Sequence, residues 1–278
     1  MRLIRFGEPG SERPGLLAPG GIVDLRARFP EIPDIGEAFF TGGWPARAAE
    51  IRDPGEPMEV RLGPPIHRPS KIICLGKNYL EHAREGGFDT PAAPLLFAKA
   101  PSSLTGPADP ILLPESSGQV DWEVELAVVI GKAGKRIAPR DALLHVAGVT
   151  VMNDVSAREA QFGDGQWFRG KSFDTFAPLG PAIVTIEELP NLRDLRLETR
   201  VNGRVMQTGS TRDLIFDIPA VIAYISRDIT LWPGDVISTG TPAGVGIFRD
   251  PPVTLRDGDV VECSIEGIGT LKNRVTAR

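Results

Sequence analysis

The stretch Asp121-Trp122-Glu123-Val124-Glu125-Leu126-Ala127-Val128-Val129-Ile130 decides how the chain folds. Branched and apolar residues dominate it and Gly131 ends it, so it reads as a strand. Side chains alternate across a strand. Trp122, Val124, Leu126 and Val128 therefore share one face, and Asp121, Glu123 and Glu125 share the other. Carboxylates crowded on one face repel each other, and burying them without a counter-charge is costly or forces protonation. A divalent cation resolves that conflict, since carboxylate oxygens are the ligands that Mg²⁺ or Mn²⁺ selects. A solvated face on an antiparallel sheet resolves it too. This stretch alone leaves both readings open.

Downstream, Val146 to Asn153 reads as a second buried strand that delivers Asp154 at its end, either as a ligand or as a turn residue. Ser156-Ala157-Arg158-Glu159 has capping-box spacing, so a helix begins there with Arg158 and Gln161 on one face. Lys171 lies between Gly170 and Ser172 in a loop that leads into a strand at Ala182 to Ile186. Either the site or the surface can hold that lysine. Upstream, Lys71 to Leu75 reads as a strand with Gly76-Lys77 as its exit. A short helix follows over Asn78 to Glu85, with Asn78 as its cap, Glu81 as capping-box partner and Gly86-Gly87 as its stop. His82 and Glu85 are three apart and can touch. A carboxylate beside an imidazole fixes its tautomer and raises its basicity, as a general base requires, although a surface His–Glu pair has the same spacing. Gly86 to Pro94 suits a lid with glycine hinges.

The remaining elements are expected as follows. Pro139 to His145 is helical, with His145 packing rather than reacting. Asn202-Gly203 closes a hairpin between Leu195–Val201 and Arg204–Thr208. Asp217 to Ser226 is a helix, and Val253 to Ala277 supplies three short strands. The glycines of Thr239-Gly240-Thr241-Pro242-Ala243-Gly244-Val245-Gly246 match neither a phosphate loop nor a dinucleotide fingerprint, which excludes a nucleotide site there.

The 278 residues allow one large domain or a large and a small one. A proline-rich segment from Pro54 to Pro69 places a boundary near residue 68, with a small N-terminal α/β domain over 1–68 and a catalytic, metal-binding domain over 69–278. Thirty-one glycines and 26 prolines point to a strand-rich, loop-rich α+β fold. A net charge of −5 without a basic run disfavours nucleic acid and anionic membranes as partners. Two cysteines, Cys74 and Cys263, form neither a disulfide scaffold nor a zinc site, so the expected compartment is a reducing cytoplasm. The opening Met1 to Phe6 runs into Gly7-Glu8-Pro9, too short for a signal peptide, and nothing approaches a membrane span.

Read together, Glu123-Val-Glu125, Asn153-Asp154-x-Ser-x-Arg158-x-x-Gln161, Gly170-Lys171-Ser172 and Ser238-Thr-Gly-Thr241-Pro resemble the fumarylacetoacetate hydrolase family over roughly residues 70–278. Gly76-Lys77-Asn78-Tyr79 followed by His82 is similar to the bacterial branch that acts on 2-oxo and 2,4-dioxo acids. The resemblance implies a mixed β-sandwich or roll, in a homodimer. It implies Mg²⁺ or Mn²⁺, with Ca²⁺ as a third candidate, on Glu123, Glu125 and Asp154. It also implies a His82–Glu85 dyad, a catalytic Lys171, and substrate contacts from Arg158, Gln161 and Thr241. The founding eukaryotic enzyme has a further metal-binding aspartate with no secure counterpart here, so a more hydrated, three-carboxylate site is expected.

The expected reaction is hydrolysis of a C–C bond in a 2,4-dioxo acid of the acylpyruvate type, releasing pyruvate. In it, His82 draws a proton from the attacking water, and the metal and Lys171 stabilise the enolate left behind. Decarboxylation of oxaloacetate, isomerisation of a 2-hydroxy-dienedioate and a ureidoglycolate lyase-like reaction are alternative exits through the same enolate. The expected partner is a small anionic 2-oxo acid.

Overall fold

The computed structural model describes residues 1–189 and 191–277. Val124–Ile130 lies near the middle of an eleven-stranded, mainly antiparallel sheet and pairs with Val146–Asn153 on one side and Val236–Ser238 on the other. Beyond Val146–Asn153 the sheet continues through Ala177–Val184, Arg2–Phe6, Arg13–Ala18 and Gly21–Asp24. Beyond Val236–Ser238 it continues through Ile72–Gly76, which runs parallel to it, and Leu95–Lys99. Two short strands, Leu62–Gly63 and Leu104–Thr105, pair with Arg2–Phe6 and Ala177–Val184.

A second sheet of five strands runs in the order Arg204–Ser210, Arg196–Val201, Val260–Ile265, Gly269–Ala277, Ile111–Leu113. Its inward side chains, among them Leu197, Val261, Cys263, Leu271 and Val275, share one core with Val124, Leu126, Val128 and Ile130. The architecture is thus a mixed β-sandwich with short helices at its margins.

The central strand is buried on both faces. Ala127 and Val129 point away from the sandwich core and join a second cluster with Leu25, Ile35, Phe39, Phe40 and Trp44 from the N-terminal region. Each Val, Leu, Ile or Phe among them contributes about 1.5–3 kcal/mol when fully buried. Arg2 and Leu3 pair with Val184 and Ile183, so the large sheet runs across the expected boundary near residue 68. Glu125 shares the face of Ala127 and Val129, and the N-terminal segment covers that face. The alternative of a solvated carboxylate face is therefore removed.

Several local expectations hold and others change. Val146–Asn153 has the expected bounds, and Asn202 and Gly203, with φ of 51° and 76°, turn the expected hairpin. Asp217 caps the helix Ile218–Asp228 through Ala220 N. Pro139–His145 is a 3₁₀ helix, and His145 Nδ1 lies 3.0 Å from the Lys132 carbonyl. By contrast, the helix Leu80–Glu85 starts after Tyr79 without a side-chain cap. Asn78 is drawn away because its amide bonds Phe216 N, Phe216 O and Thr239 O, backbone groups left without strand partners. Ser156 likewise donates to the Asp154 carbonyl rather than capping Arg158–Gly163. The C-terminal region has two strands, Val260–Ile265 and Gly269–Ala277, because Leu255 N is spent on the Val120 carbonyl outside any strand ladder.

Candidate active site

The strand carrying the acidic pattern breaks just before the site. Val120–Asp121 pairs with Ser156–Ala157, and pairing with Val146–Asn153 begins at Val124. Trp122 and Glu123 bridge the gap. Glu123 N donates to Asn153 Oδ1, and its carbonyl accepts from Asp154 N, which fixes the two acids side by side. One carboxylate oxygen from each of Glu123, Glu125 and Asp154 lies within 4.8 Å of the others, and all three residues are buried.

Cations surround two of these acids. Lys171 Nζ donates to Glu123 Oε2 at 3.0 Å and to Asp154 Oδ2 at 2.8 Å. Arg158 binds Asp121 Oδ1 at 2.6 Å, Glu123 Oε1 at 2.7 Å and Gln161 Oε1 at 2.9 Å. Asp121, the third acid of the strand face, is therefore held by Arg158 and by Ile247 N, away from the other three oxygens. Lys99, which the sequence reading missed, is wholly buried and donates to Asp154 Oδ1 and the Val155 carbonyl. The only trace it leaves in the sequence is a lone cation closing the apolar run Leu95-Leu96-Phe97-Ala98.

Glu125 differs. Its Oε2 accepts from Ser238 Oγ at 2.5 Å and Gly240 N at 2.9 Å, and no cation pairs with it among the described residues. Burial, with Asp154 and Glu123 beside it, pushes its carboxyl well above the usual carboxylate range. Glu123 moves the other way: burial pushes it up, but Lys171 and Arg158 outweigh this and hold it well below. Burial likewise opposes the Lys171 charge, yet Asp154 and Glu123 keep that ammonium protonated beyond its ordinary range. Two ion pairs thus fix the Lys171 ammonium in place. Four buried acids stand against three buried cations, so without an ion a proton makes up the difference, and three oxygens converge there. That donor set fits one hard divalent ion.

His82 Nδ1 lies 3.3 Å from Glu85 Oε2, and both Glu85 oxygens accept from Gly244 N, at 2.9 and 3.1 Å. The His82 ring packs against Phe248. Gly244 thereby ties the dyad to the segment that follows Val236–Ser238. His82, Glu123, Glu125, Lys171, Gln161 and Thr241 line one cavity together with Phe88, Phe97 and Trp167. Gln161 is fixed by its oxygen on Arg158. Thr241 has its hydroxyl proton spent on the Val124 carbonyl and accepts from Gln207 Nε2. What it offers the cavity is its methyl group, a remaining lone pair and its backbone.

Residues 71–276 match the family model described as fumarylacetoacetate (FAA) hydrolase C-terminal. The chain is 46% identical over 287 residues to the bovine (Bos taurus) mitochondrial oxaloacetate tautomerase FAHD2A, covering 99% of this chain and 91% of the relative. It superposes on 5-carboxymethyl-2-hydroxymuconate delta-isomerase from Mycobacterium smegmatis with a TM-score of 0.80 and 37% identity, covering 100% of both chains. With maleylpyruvate hydrolase from Sphingobium sp. SYK-6 the TM-score is 0.82 and the identity 34%, again over 100% of both chains. A tautomerase, an isomerase and a hydrolase thus share this scaffold. Among the described residues, no helix is long and apolar enough to cross a membrane.

Proposed function

The chain belongs to the fumarylacetoacetate hydrolase family, and from that premise we propose that it moves a proton at the carbon next to the carbonyl of a small 2-oxo acid, interconverting keto and enol forms. The observation that carries this reading is that one buried imidazole, oriented by Glu85, lines the same cavity as a fixed ammonium and members of a cluster of three convergent carboxylates. A divalent ion on Glu123, Glu125 and Asp154 would supply Lewis-acid polarisation of the 2-oxo carbonyl.

The chain's own groups do the rest. Glu85 holds the His82 ring by one nitrogen, leaving the other to take the C3 proton and return it. Gly244 N holds Glu85 in turn, so the base is positioned from the backbone. An ammonium has three donors, and Lys171 uses two on Glu123 and Asp154, which leaves one for the oxygen on which negative charge grows. Arg158 spends three of its five N–H donors on Asp121, Glu123 and Gln161, so it holds Glu123 and Gln161 in place.

Hydrolysis of an acylpyruvate is a second reading, favoured because the same His82–Glu85 pair can activate a water and a hydrolase shares the scaffold. The two separate cleanly. With Mg²⁺ present, tautomerisation predicts faster loss of the oxaloacetate enol absorbance without pyruvate, whereas hydrolysis predicts stoichiometric pyruvate from acetylpyruvate. Failure of both assays with the metal-loaded protein overturns the proposal. The homodimer implied by the family belongs to the same proposal, and light scattering tests it.

A further inference from the structure

We propose that Lys77 recognises a second carboxylate on the substrate, so that the site selects 2-oxo acids carrying a negative charge at both ends; this rests on the 2-oxo acid reading above. Among the cations lining the cavity, Arg158 and Lys171 are committed to carboxylates of the protein. Lys77 is different. It lines the same cavity, and no carboxylate pairs with it among the described residues. Its ammonium instead rests 3.8 Å from the centre of the Phe88 ring. An aromatic face stabilises a cation without neutralising it, which leaves the charge available to an incoming anion.

The backbone places Lys77 there at a cost. Its φ is +58°, a left-handed conformation that a residue with a Cβ seldom adopts. One residue earlier, a Cβ on Gly76 would meet Trp167 Cζ3 at 2.6 Å, so the indole is seated flush on Gly76. Trp167 packs edge-on against Phe97, and Phe88 packs edge-on against Phe248. The region beyond the acid cluster is therefore aromatic, with one uncommitted cation in it. A tail without charge would leave that ammonium unanswered, while a terminal carboxylate makes a charge-assisted pair with it. The 2-oxo end then lies at Glu123, Glu125 and Asp154, and the far carboxylate lies at Lys77.

The test compares two five-carbon acids that differ only in having a carboxylate or a methyl at the far end. 2-Oxoglutarate and 2-oxopentanoate are titrated calorimetrically into the Mg²⁺-loaded protein, alongside Lys77→Met, Lys77→Asn and Lys77→Arg. The wild type is expected to bind 2-oxoglutarate at least about tenfold more tightly. Lys77→Met and Lys77→Asn should each reduce that preference to within about threefold, and Lys77→Arg should retain most of it. Asn tolerates the left-handed backbone, so its result separates lost charge from lost fold. Equal affinity of the wild type for the two acids, no binding of either, or an undiminished preference in the Met and Asn variants overturns the proposal. Binding is read without turnover, so an intact Lys77-dependent preference beside an inactive enzyme refutes the proton-transfer reading alone.

Discussion

Two networks of buried and half-buried charge stand in this fold, and they solve the same problem differently. Near the N-terminus, Arg5 grips Asp34 with two nitrogens, at 2.7 and 2.8 Å, and reaches Glu12. Arg61 grips Asp109 in the same forked way, at 2.7 and 2.5 Å, and also reaches Glu12. At the centre, Lys99, Arg158 and Lys171 face Asp121, Glu123, Glu125 and Asp154. Both networks hold one more carboxylate than they have lysines and arginines. In the first, every acid touches an arginine, and Asp34 and Asp109 remain partly open to water. In the second, Glu125 is buried, and its only hydrogen-bond donors among the described residues are a hydroxyl and a backbone N–H. Surplus charge is tolerable where solvent shares it. Where solvent is excluded, a proton or a cation must make up the difference.

That contrast can be broken most severely at Glu125. Glu125→Gln keeps shape and removes the surplus charge, so the apo fold should be as stable as the wild type or more so, while metal-dependent turnover falls by about 10²- to 10³-fold or more. Thermal denaturation and turnover with Mg²⁺, measured on the same preparation, check both halves. His82→Ala comes next: general acid–base help is worth about 10²- to 10⁴-fold, and its loss should appear in kcat with divalent-ion binding untouched.

Smaller effects test the other side of the comparison. Saturating Mg²⁺ or Mn²⁺ at about 100 times Kd should stabilise the wild type by about 2.7 kcal/mol and leave Glu125→Gln almost unmoved, as a thermal melt will show. Asp109→Asn should cost about 1–3 kcal/mol in denaturant unfolding yet leave turnover per folded molecule unchanged. The pH dependence follows from the same acids. Burial pushes Asp109 up, but its bonds to Arg61 and Gly106 N hold it below its ordinary value, and Arg61 and Arg5 do the same for Glu12. Stability from acids depressed by folding is fully present above their unfolded pKa values, near 4, and is lost as the pH falls through their folded ones. Acid unfolding followed by circular dichroism should therefore be shallower in Asp109→Asn than in the wild type.

Much of the centre could be read from the chain because its signals are local. Carboxylates embedded in an apolar strand, and an acid at the end of the next, mark Glu123, Glu125 and Asp154 as candidates, but those signals alone leave a solvated face and a turn residue open, and the resemblance supplies the choice of ligands. Position relative to distant segments is not local. Lys99 looks like a solvated strand end until Leu95–Lys99 pairs with Ile72–Gly76 and its ammonium meets Asp154, 55 residues later. Asp121 has the same pattern as Glu123 and Glu125, and only the break at Trp122 and the arrival of Arg158 give it a different partner. Asn78 and Ser156 carry cap spacing, but buried backbone groups elsewhere compete for them and win. The burial of the Glu125 face depends on Phe39, Phe40 and Trp44, about 80 residues upstream, and no periodicity within Asp121–Ile130 records it.

The central claim is that the surplus acid at the core exists to hold a divalent cation. Equilibrium dialysis of Mn²⁺ against the wild type and Glu125→Gln, with bound ion counted per folded chain, tests it directly. The account predicts one ion per wild-type chain and less than about a tenth of that occupancy in the variant at the same free Mn²⁺. Full occupancy in Glu125→Gln, or no bound ion in the wild type, would contradict it.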